Sequence, residues 1–450
     1  MGAHGGRNRP RCSGSGRETT PPPRPAPASG RIVRRRPSQR APAPLAFRPV
    51  RRTPGLGFIF VTLLLDTMGF GLIIPVGPRL IEHLQGGGEA EAAPIVGWLA
   101  ATYALMQLLF SPVLGSLSDR LGRRPVLLVS MFGSGLDYIA MALVPNVAWL
   151  FVTRAINGIS GASITTASAY IADITPIEKR AAGFGVVGAA FGLGFVLGPL
   201  LGGLLGKQDM HWPFYAAGAL TLANWLYGLL VLPESLPPER RNQSPVRRST
   251  FSALGVLQRY PLARGLAGAL FLLNLAQFAL HVIWVLCTKY RYGWDEAAVG
   301  FSLFAVGVGA AIVQGGLARR IVPKLGERRS LLIGVTIGAL AYVGYGAATQ
   351  GWMVYLVIVF ASLGGIAMPA CQALITKSVR PDEQGAVQGA ITSVNSLANM
   401  LGPLLGSNVF AWSIRDDQTA RPGLTFFVCA GIGALGLALA WRALRRHRTD

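Results

Sequence analysis

Residues 115–124 read GSLSDRLGRR, with four ionic side chains in the last six positions, and they stand between two long apolar segments, 94–114 and 125–144. Each segment is long enough to cross a hydrocarbon layer of ~30 Å as a helix, so the charged stretch is expected as a tight turn at a membrane surface. Gly115 lets one helix leave close beside another, and Asp119 can face a helix N-terminus. Arg120, Arg123 and Arg124 hold the turn among phosphates and carboxylates. As a run of arginines alone, the stretch is a basic loop that anchors two spans. The spacing GxxxDRxGRR, with Gly122 inside it, is more specific than that.

Outward from this stretch, the 450 residues are 51% hydrophobic and only 14% charged, too apolar for an ordinary soluble enzyme. The chain reads as an all-α polytopic membrane protein. Its net charge of +22 sits in the tails and in alternate loops, so it does not form the soluble basic face that nucleic acid needs. Cys12, Cys287, Cys371 and Cys429 are scattered and make neither a disulfide framework nor a metal motif. No nucleophile–base pairing, metal-ligand cluster or phosphate loop is readable. Neither an enzyme nor a cofactor is expected.

Residues 1–54 are rich in Arg, Pro, Ser and Gly and are expected as a disordered cytoplasmic tail, with no signal-peptide core before residue 55. From Gly57 onward, hydropathy separates about twelve apolar segments of roughly 20 residues, the length of a spanning helix. They lie near 57–80, 94–114, 125–144, 147–171, 182–206, 212–232, 262–287, 296–317, 328–348, 352–377, 384–411 and 422–442. Basic loops at 120–124, 179–180, 240–248, 319–329, 377–380 and 445–448 share one side. Glu82, Glu89, Glu91, Asp295, Glu296, Asp416 and Asp417 mark the other. The positive-inside rule then puts both termini and the central loop in the cytoplasm.

The chain also repeats itself. LGPLLG at 197–202 returns at 401–406, 204 residues later, and at similar offsets Trp149 matches Trp352 and Gly115 matches Gly316. Two pseudo-symmetric six-helix bundles, 55–233 and 262–442, are expected around the cytoplasmic loop 234–261, followed by a basic tail at 443–450. A substrate site between parallel halves at mid-depth is the physical form such a repeat takes.

Several stretches carry a resemblance. They are LDTMGFGLIIPVGP at 65–78, YALMQ at 103–107, GLDY at 135–138, RAINGISGA at 154–162 and GFVLGPLLGG at 194–203. WVL at 284–286, YGWD at 292–295 and GGIAMP at 364–369 continue it. With GxxxDRxGRR, they resemble the drug/proton antiporters of the major facilitator superfamily and are similar to its tetracycline efflux proteins over about residues 57–442. The resemblance implies a twelve-helix fold in the cell inner membrane and efflux of a tetracycline-like or other amphipathic drug. The proton gradient is the energy source, and the partners are drug, protons and lipid, with the protein a monomer. It makes Gly115, Asp119, Arg120, Gly122, Arg123 and Arg124 a conformational latch between the two halves. Gly194, Gly198, Pro199, Gly202 and Gly203 become a bend in the fifth helix. The chain departs from its tetracycline pumps in having Gly338 where a ninth-helix carboxylate is usual and Ala310 near an eighth-helix His. A new His281 lies in the seventh helix. A proton-coupled importer of a small metabolite, or a transport-inactive receptor or scaffold on the same frame, is the competing reading.

Chemistry is expected where ionisable side chains enter the apolar spans, because each costs about 2.5–3.5 kcal/mol there unless it is paired or hydrated. Asp66, Asp137 and Arg154 are those groups in the first half, and with His281 they are the candidates for proton coupling. Burial disfavours a charged carboxylate and a nearby guanidinium favours it, so a moving arginine switches a carboxylate between its two states. Asn274, Gln277, His281 and Trp284 fall three or four residues apart on one helix face, and Gln388, Thr392, Asn395 and Asn399 repeat the pattern. Gln107, Asn157, Asn274, Gln277, Trp284, Gln314, Gln372 and Asn395 are the substrate-binding candidates, with interhelical packing as their plain alternative.

Overall fold

The computed structural model describes residues 56–161, 163–175, 180–241, 251–416 and 420–446. The expected disordered tail lies outside the described residues, as do parts of the central loop and of the basic C-terminal tail. The described residues form sixteen α-helices and no strand.

The first span is two arms, α1 (Leu56–Ile73) and α2 (Gly77–Gln85), bent by 40°. Pro75 lies in the break and Pro78 in the first turn of α2, and neither has an N–H for a helical ladder. There follow α3 (Glu89–Leu121), α4 (Arg123–Ala142), α5 (Val147–Gly161), α6 (Ser163–Ile174), α7 (Arg180–Gln208) and α8 (Trp212–Val231). The second set is α9 (Pro261–Tyr292), α10 (Glu296–Ile312), α11 (Ala318–Leu325), α12 (Glu327–Ala347), α13 (Gly351–Leu363), α14 (Ala367–Lys377), α15 (Gln384–Ser413) and α16 (Leu424–Arg446). A π turn at Val313–Leu317 joins α10 to α11, and a 3-10 turn at Gly364–Ile366 joins α13 to α14, so each pair makes one span.

The turn expected at 115–124 is corrected. Residues 115–121 stay helical in α3, Arg123 already opens α4, and only Gly122 lies between them, with φ 106°. Charged side chains at a membrane surface are solvated without the helix having to stop. The ladder ends only where a glycine takes a φ that other residues avoid. Gly326, 204 residues on, does the same between α11 and α12 with φ 80°.

Among the described residues, ten helices or continuous spans have the length and apolarity to cross a membrane, and the bent α1–α2 pair makes eleven. The expected eleventh span, α15, has 30 residues but not the apolarity. Gln384, Gln388, Thr392, Ser393, Asn395, Ser396 and Asn399 interrupt it, and it packs extensively against α9 and α3. In the first set α1 packs on α7 and α8, and α4 on α8. In the second, α16 packs on α9 and α12. The two sets meet mainly through α7 with α10 and α3 with α15. Apolar clusters around Val76, Leu150 and Phe214, and around Tyr170 and Ile171, fill the first set. Clusters around Ile283, Leu286 and Phe410, and around Leu266, Leu331 and Ile375, fill the second.

Candidate functional site

The helical pitch of α4 carries Asp137 inward, leaving the residue 4% exposed, and α5 brings two partners to it. Arg154 Nη2 lies 3.5 Å from Asp137 Oδ2, and Asn157 Nδ2 donates to the same oxygen at 2.6 Å. Arg154 also points Nη2 at Met141 Sδ. Asp137 Oδ1 and Arg154 Nε are buried with no hydrogen-bond partner among the described residues. The pair is therefore under-satisfied, with capacity left for a proton, a water or a ligand.

Asp66, on α1, is half-buried and makes no hydrogen bond or ion pair among the described residues. Three residues on, a Cβ at Gly69 would stand 3.6 Å from the ring of Tyr138, and the Phe70 and Tyr103 ring centroids lie 6.4 Å apart, so this part of α1 packs beside α3 and α4. A Cβ at Gly158 would stand 2.5 Å from Tyr103 O, so only glycine lets α5 lie this close to α3. Gln107 Nε2 donates to Gly161 O at 3.3 Å and reaches Tyr103 Oη at 3.4 Å. Tyr103 and Tyr138 fall in the quoted stretches YALMQ and GLDY but are not among the site candidates, because single aromatics in an apolar span look like packing.

A second polar group forms in the other set. Asn274 Nδ2 donates to Asn395 Oδ1 at 2.8 Å across α9 and α15. Gln277 and His281, both exposed, join through Nε2 atoms 2.7 Å apart, and Tyr342 Oη of α12 donates to Gln277 Oε1 at 3.2 Å. Trp284 shares their helix face by pitch but is 4% exposed. Its Nε1 donates to Ser302 Oγ at 2.9 Å and its ring meets Tyr345 edge-on at 5.2 Å. Gln314 lies in the π turn and Gln372 on α14, both exposed. An added Cβ at Gly338 meets nothing within 4 Å. No group of three His, Cys, Asp or Glu among the described residues is placed to hold a metal.

The latch residues form a network within the first set. Arg123, 8% exposed, pairs with Asp119 Oδ1 at 2.5 Å and with Asp173 Oδ2 of α6 at 3.1 Å, and donates to Ser118 Oγ at 2.7 Å. Glu234, just beyond α8, accepts the backbone N–H groups of Arg123 at 2.8 Å and Arg124 at 3.3 Å. A Cβ at Gly122 would lie 2.2 Å from Glu234 Oε2. Arg124 Nη2 donates to Leu229 O at 2.8 Å. At the same 204-residue offset the second set pairs Glu327 with Lys377, the mates of Arg123 and Asp173 with their charges exchanged.

The fifth-span glycines sit in one continuous helix, α7, and let it lie between α1 and α10. Added Cβ atoms would stand 2.7 Å from Thr67 at Gly194, 2.8 Å from Gly71 at Gly198 and 2.0 Å from Leu72 O at Gly202. At Gly203 the atom met is Glu296 O of the other set, at 2.2 Å, and Pro199 O lies 2.6 Å from a Cβ built on Gly300. At the same end, Arg79 Nη1 pairs with Glu296 Oε1 at 2.9 Å and Lys207 Nζ with Asp295 Oδ2 at 3.0 Å. Lys289 pairs with Glu82 and, at 3.4 Å, with Glu89. The N–H of Ala298, and after it Lys207, holds the Asp295 carboxyl below the usual carboxylate range.

The family description "Major Facilitator Superfamily" matches residues 59–403 and 292–450. The tetracycline resistance protein, class C, of Escherichia coli is 38% identical over 355 residues, 79% of this chain and 89% of that one. The class D protein of Salmonella ordonez is 38% identical over 84% of this chain and 94% of its own. A crystal structure of the human organic anion transporter MFSD10 (TETRAN) superposes with a TM-score of 0.66 at 25% identity, covering 87% of this chain and 99% of that one.

Proposed function

Because the chain belongs to the Major Facilitator Superfamily, and within it to the family of the tetracycline resistance proteins, we propose that it exports a tetracycline-like or other amphipathic drug in exchange for protons. The observation that carries the exchange is the buried, under-satisfied Asp137–Arg154–Asn157 group, with Asp66 on α1 making no ion pair among the described residues. Proton uptake at one carboxylate frees the guanidinium to turn to another, and a drug displaces the proton by competing for the same groups. The Asn274–Asn395 and Gln277–His281 pairs supply hydrogen-bonding partners from the second set. Gln107 of the first set and Gln314 and Gln372 of the second add further amides.

In this reading the two helix sets are the rocking halves. The basic face is cytoplasmic, as the loop charges require, and the protein works as a monomer in the inner membrane. The carboxylate absent at Gly338 shifts coupling onto Asp66, Asp137 and His281. Proteoliposomes with a pH-sensitive dye inside test the exchange. Drug and protons are expected to cross in opposite directions, one dependent on the other. Movement in the same direction would make the protein an importer, and drug binding without any flux would leave a receptor.

A further inference from the structure

Three groups of ion pairs join the two helix sets at one end. The bridges from Arg79 to Glu296, Lys207 to Asp295 and Lys289 to Glu82 and Glu89 all lie on the acidic face. At the basic end Arg123–Asp173 stays within the first set and Lys377–Glu327 within the second. Close contacts at glycines agree. Gly97 and Ser407, Gly203 and Glu296, and Gly300 and Pro199 meet toward the acidic face, leaving no room for a Cβ on any of these glycines. The structure is thus closed at its acidic end.

The bridges differ in what they contribute. Lys207 and Asp295 are 63% and 43% exposed, so solvent screens most of their attraction. Glu82 is only 13% exposed, and its Oε1 is buried without a partner among the described residues. Its bond to Lys289 is therefore what offsets the burial of its charge, and the same ammonium separates it from Glu89. Without Lys289, a buried carboxylate is left unpaired beside a second one, which favours letting water in.

We propose that Lys289 is the bolt of this seam, a positioning residue whose ammonium holds Glu82 and Glu89 across the two sets and fixes how often the acidic end opens. The inference rests on the transport reading, in which this end must open once per cycle. A contact present in one state only is what sets the balance between states.

The test reads the seam directly, with neither drug nor gradient, so a failed bolt and failed efflux are told apart. Ser407, fully buried against Gly97, is replaced by cysteine in a background without the four native cysteines. It is then labelled from the acidic face by an impermeant thiol reagent. Labelling is expected to be slow in this background and about tenfold faster with Lys289→Glu, the scale of a modest change in state ratio. Adding Glu82→Lys and Glu89→Gln restores one attractive pair and should return the rate to slow. Lys207→Glu, at the exposed bridge, should change it less than about twofold. If Lys289→Glu is not inserted, Lys289→Gln carries the same prediction with a smaller increase. Unchanged labelling in the Lys289 variants, no recovery on charge exchange, or an equal effect of Lys207→Glu each overturns the proposal.

Discussion

At the scale of single residues, the Asp137–Arg154 pair separates stability from function. Removing one member leaves the other charge buried, a loss of about 3–5 kcal/mol where no water reaches it. Arg154→Leu is therefore expected to lower the melting temperature in detergent sharply. Asp137→Asn keeps the shape and the hydrogen bond with Asn157 but removes the titrating group. The double variant Asp137→Asn/Arg154→Gln should recover most of the stability and none of the proton-linked efflux. A thermal-shift series with a transport assay on the same preparations checks both halves of the statement, since coupled neighbours are not additive. If the double variant still exports against a pH gradient, the pair only packs α4 against α5. These residues were legible because a charge inside an apolar run has few inert explanations. Their partners were less so. Asp173 and Glu234 stand 50 and 111 residues from Arg123 at helix ends, where carboxylates are ordinary, and nothing local marks them as its ligands.

At the scale of elements, α7 divides its glycines by what they face. A Cβ at Gly202 would stand 2.0 Å from the Leu72 carbonyl oxygen, and one at Gly198 2.8 Å from the Gly71 and Met68 backbones. Backbone cannot swing aside as a side chain can, so Gly202→Ala should unseat α1 from α7 and lower the amount of folded protein in the membrane. Gly188 and Gly192 have open space, and alanine there should be neutral or gain up to about 1 kcal/mol from helix propensity. Comparing melting curves of Gly202→Ala with Gly188→Ala decides the matter; equal curves would refute the seam. Gly188, Gly192, Gly198 and Gly202 all carry the small-residue spacing of a close-approach stripe. Spacing alone cannot tell which turns of a helix meet a neighbour and which meet lipid. Trp284 shows the same limit. It continues the face of Gln277 and His281, but by that depth α10 has arrived to cover it. The charged stretch 115–124 located the boundary between α3 and α4, while the survival of helix to Leu121 depended on where water, rather than charge, begins.

At the scale of the molecule, the twofold repeat was legible from LGPLLG and a 204-residue offset. The same offset relates Gly122 to Gly326 as helix breaks of positive φ. Which end of the molecule is shut was not legible. Glu82 and Lys289 lie 207 residues apart, and on paper their charges told only the side of the membrane. The composition of α15 bears on a different moment, the one before there is a folded transporter. A helix holding Gln384, Gln388, Thr392, Ser393, Asn395, Ser396 and Asn399 gains too little from lipid to leave the insertion channel by itself, since amides and hydroxyls offset its leucines. Its insertion is therefore expected to depend on α9, made earlier, which offers Asn274 and a packing face. Spliced alone into an insertion reporter, residues 384–413 are expected to remain largely uninserted, and to insert when the chain from 261 onward precedes them. Efficient insertion of the isolated segment would show that birth order places no demand on this protein. If the segment does wait, synthesis has a late, vulnerable pause, and a substitution at Asn274 acts there on biogenesis before it can act on transport.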